Sequence, residues 1–156
     1  MTDTNNTAEQ TGPSLNALGQ YTKDFSFENP NAPHSLSPKE TGPNISIQVN
    51  VNARQLADAD YEVELLLDGS AIIGNDTLFK FELNYGGVFR LQNIPREQIN
   101  PVVMIECPRL LFPFARQIIA DAVRNGGFPP LYIDPIDFHM LYMQRIGDQE
   151  NNTPVS

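Results

Sequence analysis

Apolar and polar side chains alternate along residues 77–91, which predicts a β-strand with two different faces. The apolar positions are Phe79, Phe81, Leu83 and Tyr85, and the polar positions between them are Lys80, Glu82 and Asn84. Four large apolar side chains on one face need a large partner surface, which this chain or a second copy of it must supply. Gly86-Gly87 follows directly, and two glycines inside a strand pattern predict a bulge or a sharp bend.

Three more segments carry the period-two pattern of strands, at residues 21–28, 45–52 and 61–73. The last of these is expected to bend at Asp68-Gly69. Because the four strands follow one another without intervening helices, they predict an antiparallel sheet. A proline-rich loop covers 29–44 and is long enough to be a binding element or a mobile connection.

The first strand carries two acidic residues on one side. Strict alternation would place Tyr21, Lys23, Phe25 and Phe27 on one face. The opposite face would then hold Asp24 and Glu28 together. By default such a pair is a solvated surface, and it becomes informative only where neighbouring strands add to it.

The period becomes helical after Pro95. A short helical segment is expected to stop at Cys107-Pro108. A long helix should start near residues 110–112, since Pro113 is tolerated only in a first turn, and should stop before Gly126-Gly127. The final helix is predicted from Asp134 as N-cap to Gly147.

The composition is that of one soluble globular domain, and a run of strands followed by helices makes its expected class α+β. We expect a flexible arm at 1–20, a domain at 21–146 and a disordered tail at 147–156, because both ends are polar. The formal charge of −9 disfavours nucleic acid and anionic membranes as partners and favours basic or apolar ones, although acidity also serves solubility. The lack of an apolar run of about 18 residues argues against membrane insertion. A start without a signal-like segment and a single cysteine indicate a cytoplasmic protein.

Candidate catalytic chemistry is sparse. His34 and His139 have no nucleophile or metal-ligand companion at a suitable spacing. Cys107, beside Pro108, is expected to be a buried small hydrophobe and not a thiolate. We therefore expect no enzyme activity, no metal and no cofactor.

Aromatic and methionine side chains are concentrated in the last third of the chain. They are Phe112, Phe114, Phe128, Tyr132, Phe138, Tyr142, Met140 and Met143. Most such residues belong to a core. The same residue types also make adaptable binding surfaces, because rings supply contact area at low entropic cost and thioethers fill irregular gaps.

Four blocks of the sequence resemble the SecB family of bacterial protein-export chaperones. They are YTKDFSFENPNAPH at 21–34, QLADADYEVEL at 55–65, FELNYGGVF at 81–89 and CPRLLFPFARQIIADAVRNGGFPP at 107–130. The resemblance runs in unbroken order from about residue 21 to residue 146. It implies a four-stranded antiparallel sheet backed by a long helix, with a second helix at the C-terminus, assembled as a dimer of dimers.

The resemblance also implies a function. SecB proteins hold unfolded precursor proteins in apolar and aromatic grooves and deliver them to the motor SecA, without consuming nucleotide or metal. The SecA-docking surface would fall on Asp24, Glu28 and Glu82. Many relatives have an apolar residue two positions before that last glutamate, where this chain has Lys80.

Two further sets of residues complete the expected sites. The candidate client-binding residues are Phe112, Phe128, Phe138, Leu141 and Tyr142. The candidate tetramer-interface residues are Phe81, Leu83 and Tyr85, buried against helices or against another dimer. Two alternatives stay open: a SecB-like chaperone dedicated to a single client such as an antitoxin, and a small-ligand-binding or enzymatic domain.

Overall fold

The computed structural model describes residues 12–151, which form one four-stranded antiparallel sheet with helices on one face. The strands are β1 (Ser14–Glu28), β2 (Asn44–Gln55), β3 (Asp60–Ile73) and β4 (Asp76–Gln92). Their order across the sheet is β1-β4-β3-β2, so β1 and β2 are the two edges. The predicted α+β class and antiparallel sheet are confirmed.

The helical part is almost continuous after the sheet. It comprises α1 (Arg96–Pro101), a π-helical segment (Val102–Glu106) and α2 (Cys107–Asn125), followed after an extended link by α3 (Phe138–Asn151). Helix α2 packs mainly on β4, β3 and β1, and α3 packs on the π-helical segment. We call the sheet face under α2 the inner face and the opposite one the outer face.

The core lies between the inner face and α2. Odd-numbered residues of β3 and β4 point inward, so Leu65, Leu83 and Phe89 are almost fully buried. Leu111 and Ile119 of α2 cover them and are equally buried. Each such side chain contributes about 1.5–3 kcal/mol through burial, which makes this interface the main source of stability.

Strand β1 begins earlier than the sequence predicted. Ser14 pairs with Gln92, and the ladder continues to Glu28 opposite Lys80, so order does not begin near Tyr21. The expected flexible arm is therefore wrong from Ser14 onward, while residues 1–11 lie outside the described residues. This stretch has only two large apolar side chains, Leu15 and Leu18, which gave a weak signal, but its backbone pairs with β4 along one edge.

A bulge in β1 changes which side chains share a face. The register shifts between Thr22 and Asp24, which makes Lys23 an extra residue. Phe25 therefore points inward, whereas Tyr21 and Lys23 point outward. The prediction that these aromatic and lysine side chains share one face is wrong, because strict alternation does not survive a bulge.

The glycines of β3 and β4 mark close packing and not bends. Both strands continue through Gly69, Gly86 and Gly87 with no interruption of the strand and no register shift there, contrary to the prediction. A Cβ atom on Gly69 would lie 2.4 Å from the Phe81 ring, and one on Gly86 would lie 3.0 Å from the Tyr21 ring. A Cβ atom on Gly87 would lie 2.9 Å from Phe89. Aromatic rings thus occupy the space that side chains would need.

The predicted stop at Cys107-Pro108 and the predicted start of the long helix are wrong. Helical structure runs without a break from Arg96, and Pro113 lies inside α2. The π-helical segment leads directly into α2, with Pro108 in its first turn. Pro113 and Arg109 are both exposed, so water can reach the carbonyl that the proline leaves without a donor.

The last helix starts later and ends later than predicted. Asp137, and not Asp134, caps it, since the Met140 N–H donates to the Asp137 carboxylate at 3.0 Å. The helix continues through Gly147 to Asn151, so the expected disordered tail is wrong for its first five residues. Residues 152–156 lie outside the described residues.

Candidate docking face and client crevices

The outer face brings the three predicted SecA-docking residues together. Asp24 lies opposite Asn84, Glu82 lies opposite Ser26, and Glu28 lies opposite Lys80. All three carboxylates are exposed and belong to adjacent strands. Glu82 and Glu28 line a shallow concavity of about 320 Å³.

The charges of this face are only partly balanced. Lys80 Nζ lies 3.1 Å from Glu28 Oε2, but both side chains are more than half exposed, so the pair stabilises the fold little. Asp68 lies directly opposite Glu82 on β3 and lines the same concavity. Among residues 12–151, neither Asp24 nor Glu82 forms an ion pair.

A hydrogen-bonded cluster occupies the neighbouring part of the outer face. Its centre is Glu62, which is only 8% exposed. The Tyr21 hydroxyl donates to this carboxylate, and Lys23 Nζ and Arg54 Nη2 each lie 3.1 Å from its Oε1. The hydrogen bond from Tyr21, with the two cations, holds the Glu62 pKa below its usual range, while burial raises the Tyr21 pKa to about 12.

On the other side of the molecule, an apolar crevice of about 510 Å³ lies between the β1–β2 loop and the end of α2. Its walls include Leu36, Ile45, Leu78, Phe79 and Phe128. The rings of Phe79 and Phe128 have centroids 5.0 Å apart and planes tilted by 51°. We call this the aromatic crevice.

Side-chain hydrogen bonds hold the proline-rich loop in place as one wall of the aromatic crevice. Asn29 Nδ2 donates to the Gly126 carbonyl at 3.0 Å, and Asn31 Nδ2 donates to the Thr77 carbonyl at 2.9 Å. The buried Ser35 hydroxyl donates to Asn29 Oδ1 at 2.7 Å. The loop is therefore tied to both α2 and β4.

The five predicted client-binding residues do not form one groove. Phe128 lines the aromatic crevice, but Phe112 and Phe138 are 6% and 1% exposed and pack edge to face in the core. Leu141 and Tyr142 line a second crevice, of about 310 Å³, between α3 and β2. Aromatic content alone did not separate core rings from surface rings.

The inner face of β2 connects the two crevices. Ile45, Ile47 and Val49 point inward, yet Ile45 is 46% exposed and the other two are half-buried, because α2 covers mainly the other three strands. The far edge of β2 is unpaired within residues 12–151, and Arg145 donates a hydrogen bond to the Val51 carbonyl there. The sequence pattern predicted this strand by its clear alternation but did not mark its inner row as a site.

The predicted interface residues are buried inside this chain. Phe81, Leu83 and Tyr85 are 2%, 2% and 8% exposed, so they have almost no surface to offer a second copy. Their burial against helices agrees with one half of the prediction. The exposed apolar side chains nearby are Leu110 and Phe114 on the outer side of α2, at 46% and 53%.

Other chemistry finds little support in the described residues. Cys107 is fully buried, as predicted, and burial raises its pKa to about 12, which keeps the thiol protonated at neutral pH. Residues 12–151 contain no group of three or more His, Cys, Asp or Glu side chains placed to hold a metal ion. None of the helices in this range has the length and apolarity needed to cross a membrane.

These surfaces define an α+β protein with apolar crevices beside a free edge strand and an acidic outer sheet face. The family model for the preprotein translocase subunit SecB matches residues 8–149. The chain therefore belongs to the SecB family, as the sequence blocks indicated.

Similar proteins cover nearly the whole chain. The protein-export protein SecB of Beijerinckia indica is 65% identical, over 99% of this chain and 98% of its own length. That of Methylocella silvestris is 69% identical, over 90% of this chain and 87% of its own length. A Mycobacterium tuberculosis SecB-like chaperone, solved with a peptide from the HigA1 antitoxin, shares the fold at a TM-score of 0.63. It is 11% identical over 78% of this chain and 90% of its own.

Proposed function

We propose that this protein is an ATP-independent chaperone that binds unfolded precursor proteins, keeps them translocation-competent and delivers them to the motor SecA. The main support for the proposal is the partly exposed apolar row of Ile45, Ile47 and Val49 on β2, which runs from the aromatic crevice to the crevice beside α3. An unfolded client exposes apolar side chains and unpaired backbone together, and this row offers a partner for each.

The geometry suits an extended segment. From Ile45 to Val49 the strand covers about 13 Å, which matches about five client residues in extended form, and beyond it the Val51 carbonyl already accepts a hydrogen bond from Arg145. Alternate client side chains would contact the apolar inner row and the two crevices, and the client backbone would pair with the free edge of β2. Burial of apolar area contributes about 25 cal/mol per Å², largely independent of client sequence.

Such binding needs no nucleotide. A chaperone that binds the unfolded client and not the folded one shifts the folding equilibrium by mass action. The proposal therefore includes no catalysis, metal or cofactor. It places the protein in the cytoplasm, where precursors are found before export.

The docking surface for SecA is proposed on the outer face, around Asp24, Glu28 and Glu82. The sheet separates this face from the client crevices, so motor and client can bind at the same time. Unpaired carboxylates favour a basic partner. Lys80 adds a positive charge among them, and its pairing with Glu28 leaves Asp24 and Glu82 as the stronger contributors.

We further propose assembly as a homotetramer, a dimer of dimers. The free edge of β1 and the exposed Leu110 and Phe114 on α2 are two separate surfaces through which copies could associate. Several client sites in one particle make later contacts of a long client effectively intramolecular, so weak sites hold it tightly together.

Three measurements test the proposal as a whole. Light scattering gives the mass of the particle, an unfolded precursor tests client binding, and purified SecA tests docking. Binding of the unfolded precursor but not of its folded form is expected. A protein that binds one client and fails to bind SecA would instead be a dedicated chaperone, for example of an antitoxin.

Two variants on neighbouring residues of β2 test whether clients bind along its inner row of Ile45, Ile47 and Val49. Ile47→Asp places a charge in the proposed client path and should weaken binding of an unfolded precursor by about tenfold or more. Gln48→Asp places the same charge on the outer face and should leave client binding within about twofold. Equal loss in both variants, at equal folded content by circular dichroism, would contradict the proposed path.

A further inference from the structure

Lys23 is the extra residue of the bulge between Thr22 and Asp24 in β1, and it comes directly before Asp24. Its ammonium group lies 3.1 Å from Glu62 Oε1 and forms a second contact with Glu64 Oε1. These two carboxylates belong to β3, which is not a neighbour of β1 in the sheet. Lys23 therefore reaches across β4 and ties the bulge to the third strand.

Glu64 also holds the residue opposite Asp24. Asn84 Nδ2 donates to Glu64 Oε2 at 3.2 Å, and Asn84 is the direct cross-strand partner of Asp24. One carboxylate thus binds both the residue before Asp24 and the residue across from it. The backbone position of Asp24 is defined from two sides.

The contact is anchored and not a loose surface ion pair. The Tyr21 ring lies over Gly86, where no side chain intervenes, and its hydroxyl reaches Glu62. Arg54 of β2 donates to the same carboxylate, and Asn84 of β4 donates to Glu64. The hydrogen-bonded cluster therefore contains side chains from all four strands. Exposed ion pairs alone would hold a side chain only weakly.

We propose that Lys23 and Glu64 are positioning residues that hold Asp24 in its place for SecA docking. The inference rests on the proposed docking function and extends it to residues that need not touch SecA. Without this contact the bulge can relax, because an extra unpaired residue has more than one way to fit the ladder. Asp24 would then no longer be fixed beside Glu82.

Loss of positioning and a pure charge effect predict opposite changes in SecA affinity for the variant Lys23→Met. Lys23→Met removes a positive charge and leaves Glu62 and Glu64 less neutralised, so the net field alone would strengthen binding of a basic partner. Loss of positioning predicts weaker SecA binding instead, by about three- to tenfold. Lys23→Arg keeps the charge and should retain most of the affinity. Lys39→Met removes the same charge from the β1–β2 loop, away from the outer face, and serves as the matched control for SecA binding.

A double-mutant cycle on the full-length chain separates positioning from general damage. In an Asp24→Asn background, Lys23→Met should cause no further loss of SecA affinity. In a Glu82→Gln background, it should lower SecA affinity by the same factor as in the wild type. Client binding and melting temperature, measured on the same samples, should show folded protein that still binds an unfolded precursor.

Each outcome of the cycle decides a separate point. Unchanged or tighter SecA binding by Lys23→Met, or the same loss in both backgrounds, would overturn the positioning role. If Asp24→Asn and Glu82→Gln themselves bind SecA as the wild type does, the proposed docking surface fails, and the positioning role with it.

Discussion

At the scale of single residues, Glu62 has the most constrained environment on the outer face. It is 8% exposed, accepts hydrogen bonds from three side chains, and has a lowered pKa chiefly because Tyr21 donates to it. A carboxyl whose pKa is lowered by folding stabilises the fold above its unfolded pKa of about 4.3. That contribution is lost as the pH falls through the folded pKa.

Replacing this carboxylate should therefore have a pH-dependent cost. Glu62→Gln is expected to lower the free energy of unfolding by about 1–3 kcal/mol at pH 7, because charged donors lose their acceptor. The difference from wild type should shrink below about pH 4, where the wild-type carboxyl also becomes neutral. Urea denaturation at several pH values measures it, with Glu40→Gln in the exposed loop as control. A difference that stays constant with pH would contradict the role of the charge.

Residue-level prediction from the sequence succeeded where the strand was regular. Alternation in β4 assigned Glu82 to one face and Leu83 to the other, and the structure confirms both. The same rule misplaced Tyr21, because the bulge at Lys23 inserts a residue that no local pattern reveals. A bulge is stabilised by distant contacts, here with β3, which a reading of neighbouring residues does not contain.

At the scale of elements, the glycines of β4 show how packing overrides a local rule. Two adjacent glycines favour a bend, yet the pairing of β4 is uninterrupted at Gly86 and Gly87, and the space beside each glycine is filled from elsewhere. Tyr21 occupies one side of the strand, and Phe89 and Leu111 occupy the other. The lack of a side chain at these glycines allows close packing of neighbouring residues and does not produce a bend.

This packing makes a direct prediction for strand β4. Gly87→Ala would place a Cβ atom 2.9 Å from Phe89 and 3.0 Å from Leu111, inside the core. We expect a loss of about 1–3 kcal/mol in the free energy of unfolding, measured by urea denaturation. Gly19→Ala in β1 has open space around it and should cost less than about 0.5 kcal/mol. Similar losses in the two variants would mean that strand conformation, not packing, explains Gly87.

Helix boundaries were harder to predict than strands. Prolines at 108 and 113 suggested a late start for the long helix, but helical structure passes through both. The π-helical segment before α2 and the solvent-exposed position of Pro113 accommodate the missing donors. Both features depend on which side of the helix packs against the sheet, which the local sequence does not show.

At the scale of the whole molecule, the structure separates residues that fold the chain from residues that could join copies. Leu83→Asp would bury a charge in the core and should unfold the chain, with loss of its circular dichroism signal. Phe114→Asp changes a half-exposed ring on α2 and should leave the fold intact but lower the particle mass in light scattering. Leu56→Asp, on an equally exposed leucine between β2 and β3, is the control and should keep the full mass. An unchanged mass for Phe114→Asp would exclude this face as an interface.

The separation of charge from apolar surface also predicts how the two proposed partners respond to salt. The chain carries −9, a value that a tetramer multiplies fourfold, and Asp24 and Glu82, which form no ion pair within residues 12–151, lie on the outer face. Raising NaCl from 0.05 to 0.5 M shortens the screening length from about 14 to about 4 Å, which should weaken SecA binding by about tenfold. Client binding depends on apolar burial and should change less than about twofold.

Calorimetric titrations across this salt range measure how the affinity for SecA and the affinity for an unfolded precursor each change with NaCl concentration. Glu82→Lys should bind SecA weakly at low salt and lose little more at high salt, because the screened attraction is already absent. The same variant should bind an unfolded precursor as the wild type does, since Glu82 faces away from the crevices. Parallel salt dependence for SecA and client would mean that one surface serves both, and would refute the assignment of two functions to the two faces of the sheet.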